Sequence, residues 1–287
     1  ILWGAFVRAT GSGAGCGDHW PLCQGEVVPR APAVETIIEF THRMTSAAAL
    51  LMVIGMLVWA YRAYPRGHTV RRGAQLSMVF IITEALLGAG LVLFELVAHN
   101  ASLTRAISMA AHLLNTFILI ACITLTAWWA SGGERIRIRG QGVVASWLIG
   151  GVIGLIIVGM SGAVIALGDT LFFEHTRNGG SMSDLAPLVS TIVSIRLMHP
   201  MISIGVGLYV VIAAWYANAV RTSKATRRFA TALTILYAVQ LVAGYINVLL
   251  QAPVWMQLVH LLLADAVWIM LVLLAAAALR ESAVPAA

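Results

Sequence analysis

Four of the chain's eight histidines stand at matching places in two similar halves: His42, His112, His199 and His260. The segment Gly4 to Gly11 aligns with Ser161 to Gly168 at an offset of 157, and the same offset carries His42 onto His199. Glu84-Ala-Leu-Leu-Gly88 aligns with Gln240-Leu-Val-Ala-Gly244 at 156, and His112-Leu-Leu with His260-Leu-Leu at 148, as a shorter loop in the second half would give. An internal repeat of this length is a fold-level signal. It makes each half present one pair of imidazoles. Haem iron takes four ligands from its porphyrin, so two axial imidazoles complete it. Zinc needs three or four protein ligands, and each half offers two histidines without a close Cys/Asp cluster. A single histidine in a membrane helix reads first as an interhelical hydrogen bond. Two pairs related by a repeat read as ligands, because ionisable groups inside a membrane mark functional positions. His19, His68, His99 and His175 fall in loops or at helix ends and read as solvated.

The surrounding elements must be membrane helices. Apolar residues make up 60% of the chain and charged residues 10%, well outside the range of soluble domains. Apolar runs long enough to span a bilayer, about 20 residues, give helices at 37–64, 73–98, 102–130, 142–168, 187–219, 226–251 and 253–279. Residues 1–7 are apolar but short. Their repeat partner is a full helix, so they are expected to be the end of a first helix whose start is missing. The expectation is an all-α integral membrane protein of eight transmembrane helices, the first truncated, in two parallel-related four-helix bundles spanning 1–131 and 141–281.

Loop charge orients the chain. Arg62, Arg66, Arg71 and Arg72, then Arg135, Arg137 and Arg139, then Arg221, Lys224, Arg227 and Arg228, and finally Arg280 all fall on one side. By the positive-inside rule that side is cytoplasmic. The opposite loops carry Asp18, Glu26, Glu35, Asp169, Glu174 and Asp184. The net charge of +6 is therefore a topology signal, and no nucleic-acid partner is expected. The lipid bilayer of the cell membrane is.

The first outer loop holds Cys16 and Cys23 within a glycine-rich stretch. On the oxidising side, so close in sequence, they are expected to form a disulfide, either as a structural staple or with a redox or substrate-handling role. Cys122 lies within a helix and reads as a small apolar residue. Gly88, Ala89, Gly90 and Gly244 would let either a flat macrocycle or a neighbouring helix approach closely.

Arg8-Ala-Thr-Gly-Ser-Gly, the Cys16…Trp20-Pro21-Leu22-Cys23…Gly25 loop and Glu39-Phe-Thr-His42-Arg43 together resemble haem A synthases, over the whole chain. The resemblance implies oxidation of the C8 methyl of haem O to a formyl, giving haem A for terminal oxidases. It implies that the first half holds the substrate haem near Glu39, His42 and His112. The second half would hold a haem b between His199 and His260. Haem O synthase, cytochrome oxidase assembly factors and an unidentified electron acceptor are the implied partners. Two departures stand out. Residues 169–187 lack the second cysteine pair of many relatives. Pro200 follows His199 where the family often has arginine, so Arg196, at i−3, is the available propionate partner in the second half, as Arg43 is in the first.

Converting a methyl to a formyl is a four-electron oxidation, and a second haem offers an exit for the electrons. Bis-imidazole iron has no open position and favours electron transfer over oxygen binding. Glu39 lies at i−3 from His42 and shares its helix face. It would either interact with the helix dipole or act catalytically on the protons released from the methyl. The alternative is a dihaem b-type membrane cytochrome transferring electrons from quinol, which leaves the Cys16/Cys23 loop and Glu39 unexplained. A transporter would need helices broken at matching midplane positions. Pro200 is expected near a helix end and has no counterpart after His42.

Overall fold

A computed structural model describes residues 1–98, 100–177 and 186–280, with backbone alone for 172–177 and 186–193. His99 and Asp184 lie outside the described residues, and the side chains of Glu174 and His175 lie outside them too. The described residues form α1 (Leu2–Ala9), a single 3-10 turn (Ser12–Ala14), α2 (Val34–Ala63), α3 (Thr69–Leu93), α4 (Leu103–Ala130), α5 (Val143–Arg177), α6 (Ala186–Val220), α7 (Lys224–Leu249) and α8 (Val254–Ala278). Among these, seven helices, α2 to α8, contain stretches long and apolar enough to cross a bilayer. The chain is a multi-pass, all-α membrane protein.

Helix starts follow local capping chemistry. Ser102 Oγ accepts from the Arg105 N–H at 3.2 Å and Ser223 Oγ from the Thr226 N–H at 3.0 Å, each satisfying a donor that the first turn leaves open. His68, expected to be merely solvated, caps α3 by accepting from the Val70 N–H at 3.3 Å and stacks on Tyr64.

Two helix ends and the place of Pro200 differ from expectation. α3 stops at Leu93 rather than at 98, because Glu95 turns left-handed (φ 52°) and the Leu96 N–H closes back on the Leu91 carbonyl at 2.8 Å. This is the hydrogen-bonding logic of a Schellman-type stop. α7 ends identically 156 residues later: Gln251 takes φ 61° and the Ala252 N–H closes on the Asn247 carbonyl at 2.8 Å. The repeat is thus written in backbone geometry as well as in residues. α5 runs past 168 to Arg177, so Asp169 belongs to a helix, not a loop. Its carboxylate meets Arg196 at 2.9 Å and Thr170 Oγ1 meets Arg8 at 2.9 Å, so neither polar side chain needs to leave the helix. Pro200 stands well inside α6, where its ring nitrogen withholds one intrahelical hydrogen bond.

Most of the neighbour pattern obeys an exchange of the first four helices with the last four, while the packing of α5 on α8 has no equal between α1 and α4. α1–α2, α2–α3 and α3–α4 pack together, as do α5–α6, α6–α7 and α7–α8. Between the sets, α1 packs on α8 as α4 packs on α5, while α4–α8 and α1–α5 map onto themselves. The linker 131–142 is pinned at one end of the bundle. The Arg137 N–H donates to the Leu279 carbonyl at 2.9 Å, and Arg221 Nη2 donates to Gln141 Oε1 at 2.8 Å. The arginine-rich segments after α4, α6 and α8 therefore share that end.

Two ties join the sets within the apolar zone. Trp268 of α8 stacks on Phe117 of α4 with ring centroids 4.8 Å apart, and its indole N–H donates to the Phe117 carbonyl at 2.8 Å. Arg8 of α1 donates to the Ala166 carbonyl and Thr170 Oγ1 on α5, and to Gln257 Oε1 on α8 at 2.9 Å. Trp268 is buried in the main apolar core with Leu271, Leu274 and Val210. Trp268→Ala removes a large buried ring and the hydrogen bond it donates, and should destabilise the protein by about 3–5 kcal/mol. Denaturant unfolding in detergent, compared with wild type, measures it.

Candidate paired-histidine sites

His42 lies eight residues into α2 and His112 nine into α4. At 1.5 Å per residue both sit roughly 12–14 Å from their helix starts. The earlier start of α2, at Val34, brings them to matching depth. In each half the two histidines stand on helices that share a neighbour: α2 and α4 both pack on α3, and α6 and α8 both pack on α7.

Each ring is met from the neighbouring helix, and each half does this differently. On α1, Gly4 faces His42: a Cβ placed on Gly4 would come within 3.1 Å of the ring carbon Cε1. The repeat-related Ser161 on α5 instead bonds His199 Nδ1 at 2.8 Å. Ser161 gives its own hydrogen to the Val158 carbonyl at 2.8 Å, so Oγ accepts from the ring Nδ1–H and the lone pair of His199 lies on Nε2. On α3, Glu84 Oε1 lies 3.3 Å from His112 Nδ1, close in distance but outside hydrogen-bond geometry. On α7, the corresponding Gln240 donates its amide to His260 Nε2 at 3.3 Å and leaves His260 Nδ1 buried without a partner.

The glycines divide as well. A Cβ at Gly244 would meet His260 Cε1 at 2.9 Å, whereas at Gly88 it would meet nothing within 4 Å. Gly244 is therefore a ring-approach glycine. Gly88 is not required for helix packing.

Glu39 and Arg43 form a buried i,i+4 pair at 2.6 Å. Arg43 Nη1 also donates to the carbonyls of His19, Leu22 and Pro21 at 2.7, 2.6 and 3.3 Å. Glu39 Oε2 accepts the Cys16 N–H at 2.8 Å. The pair expected beside the histidine thus also clamps the cysteine loop onto α2. Gly15 makes the seat possible: a Cβ there would lie 2.5 Å from the Glu35 carbonyl. The offset of 157 places Arg196 where Glu39 stands, and Arg196 Nη1 pairs with Asp169 at 2.9 Å. The helix position one turn before the histidine is acidic in the first half and basic in the second.

Three participants, Ser161, Glu84 and Gln240, stood in the sequence only as alignment anchors. Their signal was available in the repeat itself, as polar side chains one helix away from each histidine.

Cys16 and Cys23 form a disulfide, both residues being buried, and Cys122 is free and half-buried in α4. In membranes without reductant, Cys16 and Cys23 should resist thiol alkylation and become reactive after reduction, while Cys122 labels poorly in both states. Mass spectrometry of labelled peptides reads this directly.

The model of the COX15-CtaA family, described as cytochrome oxidase assembly protein, matches residues 1–272. The chain is 54% identical over 282 residues to a protoheme IX farnesyltransferase of Thermus thermophilus, covering 98% of this chain and 46% of that protein. It therefore spans about half the length of that relative. A heme A synthase of Halalkalibacterium halodurans is 42% identical over 123 residues, 43% of this chain and 41% of the relative. One from Alkalihalophilus pseudofirmus is 45% identical over 94 residues, 33% and 32% respectively. The match of 272 residues takes in both histidine pairs and the cysteine loop, and the chain belongs to the COX15-CtaA family of cytochrome oxidase assembly proteins.

Proposed function

We propose that this chain is a haem A synthase, oxidising the C8 methyl of haem O to a formyl. The observation that carries the reading is the two repeat-related histidine pairs, each braced from the next helix, in a chain of this family. The transferase activity named for the Thermus relative is not assigned to this chain, since the match covers 46% of that protein. A farnesyltransferase acting on protohaem does, however, make the class of substrate this chain would take.

The residues fit a haem in each half. Ser161 holds His199 through Nδ1 and leaves its Nε2 lone pair available. Gly4, Gly162 and Gly244 bring backbone rather than side chain against the rings. We assign 1–131 as the substrate half, with His42 and His112 holding haem O. We assign 141–281 as the half in which His199 and His260 hold haem b. That haem would supply a one-electron acceptor. The arginine-rich end is proposed as cytoplasmic and the cysteine loop as outside, across the cell membrane.

Atom balance defines what the side chains must do. A methyl plus water gives a formyl group, four protons and four electrons, so the site must accept protons repeatedly beside the substrate. His42 cannot accept them while ligating iron. Glu39, one turn away on the same face and held by two donors, is the proposed proton-handling residue. Its ties to Arg43 and to Cys16 couple that role to the disulfide loop. Arg43 and Arg196 are proposed to balance propionate charge in the first and second halves. Each already has a carboxylate partner, Glu39 and Asp169, which a propionate would share.

Two experiments test the reading. Replacing His199 or His260 with alanine should abolish a low-spin b-type spectrum in the purified protein, and an unchanged spectrum in both variants removes the assignment. Glu39→Gln should retain haem but lower conversion of haem O to haem A by about a hundredfold or more, the scale of a lost acid–base group. Chromatography of extracted haems measures this, and wild-type haem A from that variant would reduce Glu39 to an anchor for the cysteine loop. A b-type cytochrome without synthase activity would yield haem b alone in the same extraction.

A further inference from the structure

Glu84 stands in the middle of α3, inside a membrane span, and its carboxylate is surrounded by donors. Asn115 Nδ2 donates to Oε2 at 2.6 Å, and Thr116 Oγ1 donates to Oε1. Asn115 is itself fixed, donating to the Phe80 carbonyl at 2.9 Å and accepting from Thr83 Oγ1 at 2.6 Å. Oε1, the oxygen that Thr116 reaches, also lies 3.3 Å from His112 Nδ1, and the Thr116 hydroxyl meets the His112 carbonyl at 2.9 Å as well.

The second half lacks this apparatus. The offset of 156 places Val239 and Gln240 where Thr83 and Glu84 stand. The offset of 148 places Leu263 and Ala264 where Asn115 and Thr116 stand. A carboxylate with three supporting polar side chains has become an amide among apolar ones. Gln240 also meets the other nitrogen of its histidine. Carrying a carboxylate at membrane depth is costly. A network present in one copy of a repeat and absent from the other therefore reflects what that copy does.

We infer that Glu84 is a positioning residue for His112: its carboxylate, 3.3 Å from Nδ1, favours the Nδ1-protonated ring, leaves Nε2 for the substrate's iron, and makes His112 a stronger electron donor than its counterpart His260. This rests on the haem reading of the histidine pairs. A carboxylate behind a ligating imidazole fixes its tautomer and raises its basicity, and hydrogen bonding behind the axial ligand is one of the levers that set haem potential. The first-half iron is then biased toward its oxidised form relative to the second. Two sites built from one fold are made electronically unequal, so that electrons reside preferentially in the second half.

The test is potentiometric titration of the protein purified with its haems and supplemented with haem O. Glu84→Gln keeps size and hydrogen-bonding capacity. It should retain both haems, shift the midpoint potential of one upward and leave the other in place. Thr116→Val, which removes a contact to the oxygen that faces His112, should shift the same haem alone. No shift in either variant, or equal shifts of both haems, overturns the inference. If Glu84→Gln loses its first-half haem, Thr116→Val decides by the same criterion. A wild-type protein that takes up no haem defeats the haem reading instead. The 15N spectrum of His112 in haem-free protein then judges the contact separately: an Nδ1-protonated ring that changes in Glu84→Gln upholds it, and identical spectra overturn it.

Discussion

A polar group inside hydrocarbon has no water to turn to, so it must find its partner within the protein. The rest of this structure depends on that constraint. Arg8 reaches across to α5 and α8 and so ties the first helix to the second set. Asp169 can remain in a helix because Arg196 meets it. Glu39 and Arg43 settle each other and use their remaining capacity to hold the cysteine loop. Lipid tails give little hydrophobic drive for one helix to choose another, whereas such contacts specify neighbours and register. The polar side chains of this chain are few, and they decide how the helices assemble.

The same constraint makes departures from the repeat informative. The backbone is duplicated closely enough that α3 and α7 end with the same left-handed turn at Glu95 and Gln251. Against that common frame the side chains near the histidines diverge. Gly4 faces Ser161, Glu39 faces Arg196 and Glu84 faces Gln240 in the alignment of the halves. Two carboxylates near the first pair have become a cation and an amide near the second. Copies that bind similar ligands but perform different tasks are expected to differ in their supporting side chains, since these tune charge and ligand strength while the fold stays constant.

The cysteine loop belongs to the same account. Its disulfide closes a short loop, but its position comes from Gly15 seated on the backbone of α2 and from the Glu39–Arg43 pair below. A carboxylate one turn from His42 is thereby linked to the Cys16–Cys23 bridge through the Cys16 N–H.

Much was legible from residues alone because membrane helices announce themselves. Long apolar runs determined the class of fold and the seven long helices seen among the described residues. Local chemistry that does not depend on distant partners, such as the closeness of Cys16 and Cys23, was legible too. Helix ends were not: α5 continues through Asp169 because Arg196 is there to meet it, and Arg196 is distant in sequence. The left-handed stop of α3 at a glutamate carried no glycine to mark it. What only the tertiary structure decided is which polar group stands behind each ring. Ser161, Glu84 and Gln240 reach their histidines from the adjacent helix, and a sequence records the spacing along one helix but not the face that a neighbour presents to it.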